Sequence, residues 1–342
     1  MKKTLILHAG THKTASTYIQ DRLWLNRHGL KRVGIHLLTP GKKKTGQNIA
    51  FAEDLKSHNF DRLGDLLSAL SPDHEAVLVS AEQITQALVR RNCLEGLLAQ
   101  LHRNGYQLRV VTYLRDQPEY INSLYIQEVR RFYHSRDLLP YIKRCKKRRR
   151  HWFDYEHMFA GLIEHPDVDA QFLPYGTHFG DPFLRFMDSQ GWSSPDSSGW
   201  LEGNRSKSND QPGVKGVWVA LRACRRMDAM GVDRKLLENQ SKYIRRYSQP
   251  EGWGDDRFFG LRPGKVRRIR EFYREGNDRL SRRIWAGRSW SDVFKDLRPQ
   301  TYRVLDDAAM SDDDLREMEA YVDRVVDDLR RDHPLAFAAV SS

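Results

Sequence analysis

The chain alternates between short apolar runs of strand length and longer stretches whose apolar positions recur at helical spacing. The runs TLILHAG (4–10), EAVLVSAE (75–82), YQLRVVTYLRD (106–116) and DAQFLPYG (169–176) read as strands. Helical patterns over 15–28, 82–103, 117–133, 181–190, 214–230 and 265–285 fill the spaces between and after them. That alternation predicts an α/β fold with a parallel sheet covered by helices. One more helix is expected over 311–331, where Ser311 suits an N-cap and the aspartates that follow suit the positive end of a helix dipole. The segment 191–213, GWSSPDSSGWLEGNRSKSNDQPG, is dense in Gly, Ser, Pro, Asn and Asp and reads as one long loop. Loops of that length inside a domain are usually functional or disordered. These patterns divide the chain into an α/β domain over 1–286 and a C-terminal helical appendage over 287–342, with no internal repeat.

A length of 342 residues fits one large α/β core with additions. Lys and Arg outnumber Asp and Glu by 57 to 45, so anionic partners are favoured: nucleotides, sulfated or acidic glycans, nucleic acid, or anionic lipid headgroups. The three cysteines, Cys93, Cys145 and Cys224, stand far apart without CxxC spacing, which argues against a disulfide framework or a zinc site and for a reducing compartment. No cluster of ligands suggests any other metal. The apolar run near the start is too short for a signal-peptide core, and no stretch approaches the roughly 18 apolar residues of a membrane span. The expectation is a soluble cytoplasmic protein, or one held peripherally at the inner face of a membrane.

Candidate chemistry begins at LILHAGTHKTASTYIQ (5–20), where a strand meets a short polar turn and then a helix. If the helix opens at Ala15, the backbone N–H groups of Lys13 to Thr17 have no helical partner, and the helix dipole adds partial positive charge. Thr14, Ser16 and Thr17 add hydroxyls and Lys13 adds a full charge, so the turn can surround a phosphate-like group. It is not a Walker A motif, which needs two glycines at fixed spacing, whereas Gly10 is followed by His12 and Lys13. An ordinary β-to-α turn with a surface lysine fits the same residues. The stretch VVTYLRDQPEYINSLYIQ (110–127) repeats the layout, with Arg115 at the strand end, Pro118 able to open the helix, and Ser123 eight residues after the arginine. A guanidinium fork suits phosphate, though an arginine there also serves as an ion-pair residue.

Together the two loops resemble the sulfotransferases that use 3′-phosphoadenosine 5′-phosphosulfate (PAPS). The matching stretches are KTAST (13–17) and RDQPEYINS (115–123). VSAEQI (79–84), HWFDYEHMFAGL (151–162) followed by FLPYG (172–176), and REFYREGNDRL (270–280) look like the bacterial, glycan-modifying branch. The resemblance spans about residues 4–286 and implies a three-layer P-loop-like fold, a central parallel sheet flanked by helices with helical C-terminal additions. It also implies transfer of a sulfuryl group from PAPS to a hydroxyl or amine, without a metal, and an acceptor that is a carbohydrate or glycolipid. One position departs from the pattern: Ala15 stands where the family carries glycine. A methyl there would crowd the phosphate or call for a conventional helical φ, and because alanine is an excellent helix former the loop is expected to survive.

By the same resemblance, Lys13 contacts the bridging oxygen and stabilises charge growing on the leaving group, while Thr14, Ala15, Ser16 and Thr17 hold the 5′-phosphate. Arg115 and Ser123 select the 3′-phosphate. Glu82, just past a strand end, is the leading candidate for the base and His12 the alternative; His8 is expected to be buried. Glu82 equally suits a helix N-terminus, where the dipole favours a carboxylate. A further 3′-phosphate element is assigned to Arg205, Ser206 and Lys207 in the long loop, with RPGK (262–265) as the other choice. KRCKKRRR (143–150) holds seven basic residues in eight, and reads either as a solvated helix face or as a subsite for an acidic polysaccharide or lipid-linked glycan. Two other functions share some of these features. A nucleic-acid-binding protein would use the basic run, but no zinc, homeodomain or RNA-recognition pattern is present and no stable nucleic-acid partner is expected. A P-loop-like small-molecule kinase is disfavoured by the Walker spacing.

Overall fold

Each of the four apolar runs forms a strand, and a fifth strand of three residues joins them. The computed structural model describes residues 3–40, 45–70, 73–148, 150–195, 199–203, 211–297 and 299–338. The first part of the chain holds β1 (Lys3–His8), α1 (Ser16–Leu25), α2 (Arg27–Arg32), β2 (Ile35–Leu37), α3 (Ile49–Lys56), α4 (Phe60–Ser68), β3 (Ala76–Ser80), α5 (Ile84–Leu88), α6 (Arg91–Arg103) and β4 (Tyr106–Arg115). There follow α7 (Gln117–Arg130), α8 (Leu138–Arg148), α9 (Arg150–Phe153), α10 (Tyr155–Ile163), β5 (Val168–Tyr175) and α11 (Pro182–Ser189). The rest holds α12 (Gly213–Ala229), α13 (Lys242–Ser248), α14 (Pro263–Ile284), α15 (Trp290–Val293), α16 (Asp312–Asp332) and α17 (Pro334–Phe337).

The five strands make one sheet in the order β2-β3-β1-β4-β5, and every neighbouring pair is parallel. This is the expected α/β class. Contacts divide the chain into two units, each assembled from three segments. The first comprises Met1–Asp116, His151–Ser208 and Phe272–Arg298; the second comprises Gln117–Arg150, Asn209–Glu271 and Pro299–Ser342. All five strands belong to the first unit.

In that unit the central strands are buried on both faces, which is why their sequences read as continuous apolar runs rather than as alternation. Ile6, Leu78, Val111 and Tyr113 pack with Tyr18 and Ile19 of α1 and with Phe183 and Phe186 of α11. With a side-chain period of two, Leu5, Leu7, Val77 and Val79 point to the opposite face and are equally buried.

Among its described residues the second unit is helical, apart from an antiparallel bridge between Phe259 and Arg303. Its α16 packs on α12 through a stripe of buried residues that includes Met318, Val322, Val325 and Leu329. Ser311 caps α16, its hydroxyl oxygen accepting the Asp314 N–H at 3.1 Å. No helix among the described residues is long and apolar enough to cross a membrane.

Two differences from the periodicity reading have physical causes. The stretch 82–103 is not one helix: Arg90 takes an extended backbone (φ −93, ψ 118) and becomes the N-cap of α6. No proline or glycine marks this break, so tertiary packing overrides local propensity there. β2, α3 and α4 are elements of nine residues or fewer, too short to carry a periodic signal of their own.

Candidate anion-binding site at the strand tips

Beyond His8 the chain does not turn at once, because its backbone goes on pairing with β4. The Ala9 N–H donates to the Val111 carbonyl at 3.0 Å and the Tyr113 N–H to the Gly10 carbonyl at 2.9 Å. Gly10 sits at φ 79, a left-handed backbone that favours glycine, close beside Glu82. The turn itself falls at residues 13–15. Lys13 has φ 64 and Ala15 has φ 60, two non-glycine residues in the left-handed region one residue apart. Three side chains hold it: the Thr14 hydroxyl donates to the Thr11 carbonyl at 2.6 Å, the Thr11 hydroxyl to the Tyr113 carbonyl at 3.1 Å, and the Arg115 guanidinium to the Lys13 carbonyl at 3.2 Å.

Alternating backbone handedness lets successive N–H groups converge on a concave face, an arrangement that binds anions. Here it leads into the N-terminus of α1, whose first N–H groups have no intrahelical acceptor. The N-cap residue is Ala15, which supplies no side-chain acceptor for them. Ala15 therefore does not take the helical φ its propensity favours. It occupies the left-handed position that glycine would fill without strain, because the surrounding hydrogen bonds set the loop's path.

The neighbouring strand tip contributes a carboxylate. Glu82 follows β3, and its two oxygens are engaged by different partners: Oε2 by His12 Nδ1 at 2.7 Å and Oε1 by the Ser16 hydroxyl. Burial pushes the Glu82 carboxyl up, but the hydrogen bond and charge of His12, the Ser16 hydroxyl and the charge of Lys13 outweigh it and hold the group below the usual carboxylate range. An ionised carboxylate only accepts, so Nδ1 of His12 carries a proton; in the neutral imidazole Nε2 is then the accepting atom, 3.5 Å from the amide nitrogen of Gln86.

The sheet order gives these tips their place. From β1 the chain moves toward the β3–β2 side of the sheet and later crosses to β4 and β5 on the other. The reversal falls between β1 and β4, and open α/β sheets bind ligands at the carboxyl ends of strands beside such a switch point. Arg115 ends β4, half-buried, with its carbonyl accepting from the Tyr155 hydroxyl at 2.9 Å and its guanidinium 5.5 Å from the centre of the Tyr175 ring.

The structure thus brings together His12, Lys13, Thr14, Ala15, Ser16, Thr17, Glu82 and Arg115 in the first unit. The hydroxyls of Thr14 and Ser16 have protein partners, while Thr17 is exposed. Ser123 is buried on α7 in the second unit. Arg205, Ser206 and Lys207 lie outside the described residues. His8 is fully buried against Ser80, at 2.7 Å, and burial lowers its pKa from 6.5 to about 4. Thr11, Gln86, Tyr155 and Tyr175 were not singled out by sequence reasoning; only the TH pair before Lys13 hinted that Thr11 belongs to the loop. Among the described residues no group of three or more His, Cys, Asp and Glu side chains is placed to hold a metal, and the three cysteines are free and buried. No protein-family model, curated protein or solved structure matches the chain.

Proposed function

We propose that the chain is a PAPS-dependent sulfotransferase whose β1–α1 turn is a P-loop-like cradle for the donor's 5′-phosphosulfate. The observation that carries this reading is the left-handed pair Lys13 and Ala15 at the sheet's switch point, bracketed by the Glu82–His12 pair on one side and Arg115 on the other. The KTAST resemblance supplies the donor. The acceptor hydroxyl oxygen attacks sulfur, the bond from sulfur to the bridging phosphate oxygen breaks, and 3′-phosphoadenosine 5′-phosphate leaves. Lys13 stabilises the charge developing on that oxygen, and Arg115 contributes to selecting the 3′-phosphate.

The proton goes to His12. Glu82, with both oxygens engaged and its pKa held low, is a weak base; a general base works best when its pKa lies near the working pH. Its role is then to fix the tautomer and orientation of the imidazole, the division of labour found wherever a carboxylate supports a catalytic histidine. A carbohydrate or glycolipid is the acceptor class the resemblance favours.

Calorimetry with 3′-phosphoadenosine 5′-phosphate, followed by transfer assays with labelled donor against an acceptor panel, tests the reading. Lys13→Ala is expected to lower transfer by about 10²–10³ while thermal unfolding stays cooperative. Normal turnover in that variant, or no nucleotide binding by the wild-type chain, overturns it.

A further inference from the structure

The second unit contains a cavity of about 1030 Å³ lined only by its own residues, near the upper end of the range for small-molecule sites. Its lining is mixed: an aliphatic part that includes Leu138, Val214, Val217, Leu221, Val304 and Leu305 stands beside aromatic and charged side chains. Leu139 and Tyr302, also in the lining, are 51% and 37% exposed, so apolar surface continues out to solvent.

The cationic groups of the lining fall into two sets, and a lining carboxylate, Asp306, accepts the Ala308 N–H at 3.1 Å. Arg222 is paired with Asp307 and with Glu319, and Arg225 with Asp137 at 2.6 Å, so these guanidinium groups are neutralised within the protein. Arg262, Lys265 and Arg268, at and just before the start of α14, are not: among the described residues no carboxylate lies within ion-pair distance of any of them. Lys146 of α8, from the basic run whose residue 149 lies outside the described residues, adds to this charge. Lys146 is pushed below the usual ammonium range, first by partial burial and then by the charge of Lys265. Like charges held this close to an apolar cavity favour an anion at its edge.

We propose that this cavity binds an amphiphile with an aliphatic chain and a phosphate- or sulfate-type head, the chain against the aliphatic part of the lining and the head on Arg262, Lys265 and Arg268. The aromatic residues favour an aliphatic occupant over a nucleobase or a sugar ring, since Tyr125 and Phe258 stack on each other with ring centres 5.9 Å apart and the other two are covered by arginines. Arg222 already covers one face of Trp218, 4.8 Å from the ring centre, and Arg262 covers one face of Tyr302 at 5.0 Å. The Trp218 indole N–H is committed to Asp307 at 2.5 Å. The β1–α1 loop contributes no residue to this cavity, although Arg262 and Lys265 belong to the RPGK stretch given above as the other choice for the donor's 3′-phosphate.

The test is calorimetry on the full chain with three probes below any micellar concentration: dodecyl phosphate, dodecyl maltoside with the same tail and no charge, and inorganic phosphate with no tail. Dodecyl phosphate is expected to bind saturably at one site per chain, and the other two at least roughly ten-fold more weakly, since each loses either the burial or the charge-assisted contacts. Lys265→Ala combined with Arg268→Ala, at solvent-accessible positions, should weaken dodecyl phosphate by roughly ten-fold or more, and Val304→Trp should do so by filling the cavity. Lys13→Ala should bind it as the wild type does. Equal binding of the maltoside or of free phosphate, unchanged binding in the double variant, or loss of binding in Lys13→Ala each overturns the proposal. Should Val304→Trp fail to fold, the double variant decides alone.

Discussion

At Ala15 the local preference of the residue and the shape of the loop disagree, and the loop prevails. An alanine at φ 60 is strained by roughly 1–2 kcal/mol relative to a right-handed backbone, a strain glycine does not feel. Ala15→Gly is therefore expected to stabilise the protein by about 1 kcal/mol, net of the greater freedom glycine gains in the unfolded chain. Urea denaturation measures this, and an unchanged or lowered midpoint would remove the strain argument. The Glu82–His12 pair makes a second prediction. His12→Ala should abolish transfer with nucleotide affinity kept, whereas Glu82→Gln should slow transfer less, because the imidazole remains. If His12→Ala turns over normally while Glu82→Gln is slow, the base is Glu82 itself. Lys13, Arg115, Glu82 and His12 were all visible from residue type and position. Their partnerships were not, because Glu82 and His12 are 70 residues apart in sequence and meet only through the pairing of β1 with β3.

Among the elements, those with a strong local signal appear where expected. Ser311 and the aspartates after it marked the start of α16, and the hydroxyl does cap the helix. Ser311→Ala should lower stability by about 1 kcal/mol, with the loss seen in thermal unfolding; a change within error would mean the exposed first turn frays without consequence. The four longer strands were legible from their apolar runs because burial on both faces leaves no alternation to interpret. β2, with three residues, and α3 and α4, with two turns or so, were not, since their stability comes from what they pack against rather than from their own periodicity. The break at Arg90 belongs to the same class.

For the molecule as a whole, burial of ionisable groups sets how stability responds to acid. His8 is neutral in the fold, with a pKa near 4 against 6.5 unperturbed, so the unfolded chain binds its proton first. Its contribution is fully present above about 6.5 and is lost as pH falls toward about 4, an effect on the order of a few kcal/mol. Glu82, also depressed, contributes above the ordinary carboxylate range and loses that contribution as pH falls below it. Denaturation midpoints measured from pH 7 to pH 4 should fall steadily, and His8→Gln should flatten the upper part of that decline. A parallel decline in the variant would assign it to other groups. The excess of cationic side chains suggests anionic partners but names no location; the two sites proposed for them lie in different units, one at the strand tips and one at the cavity.

By itself the sequence determined the fold class, the positions of the long strands, the cap of α16 and the residue types at the first loop, because each depends on neighbours within a few positions along the chain. Only the tertiary structure decided the sheet order, the left-handed turn at Lys13 and Ala15, the attachment of Glu82 to His12 and Ser16, and the assembly of each unit from three separate segments. Those features rest on contacts between residues tens to more than a hundred positions apart. Such contacts form only when strands pair and helices cover them, and no local pattern encodes their geometry.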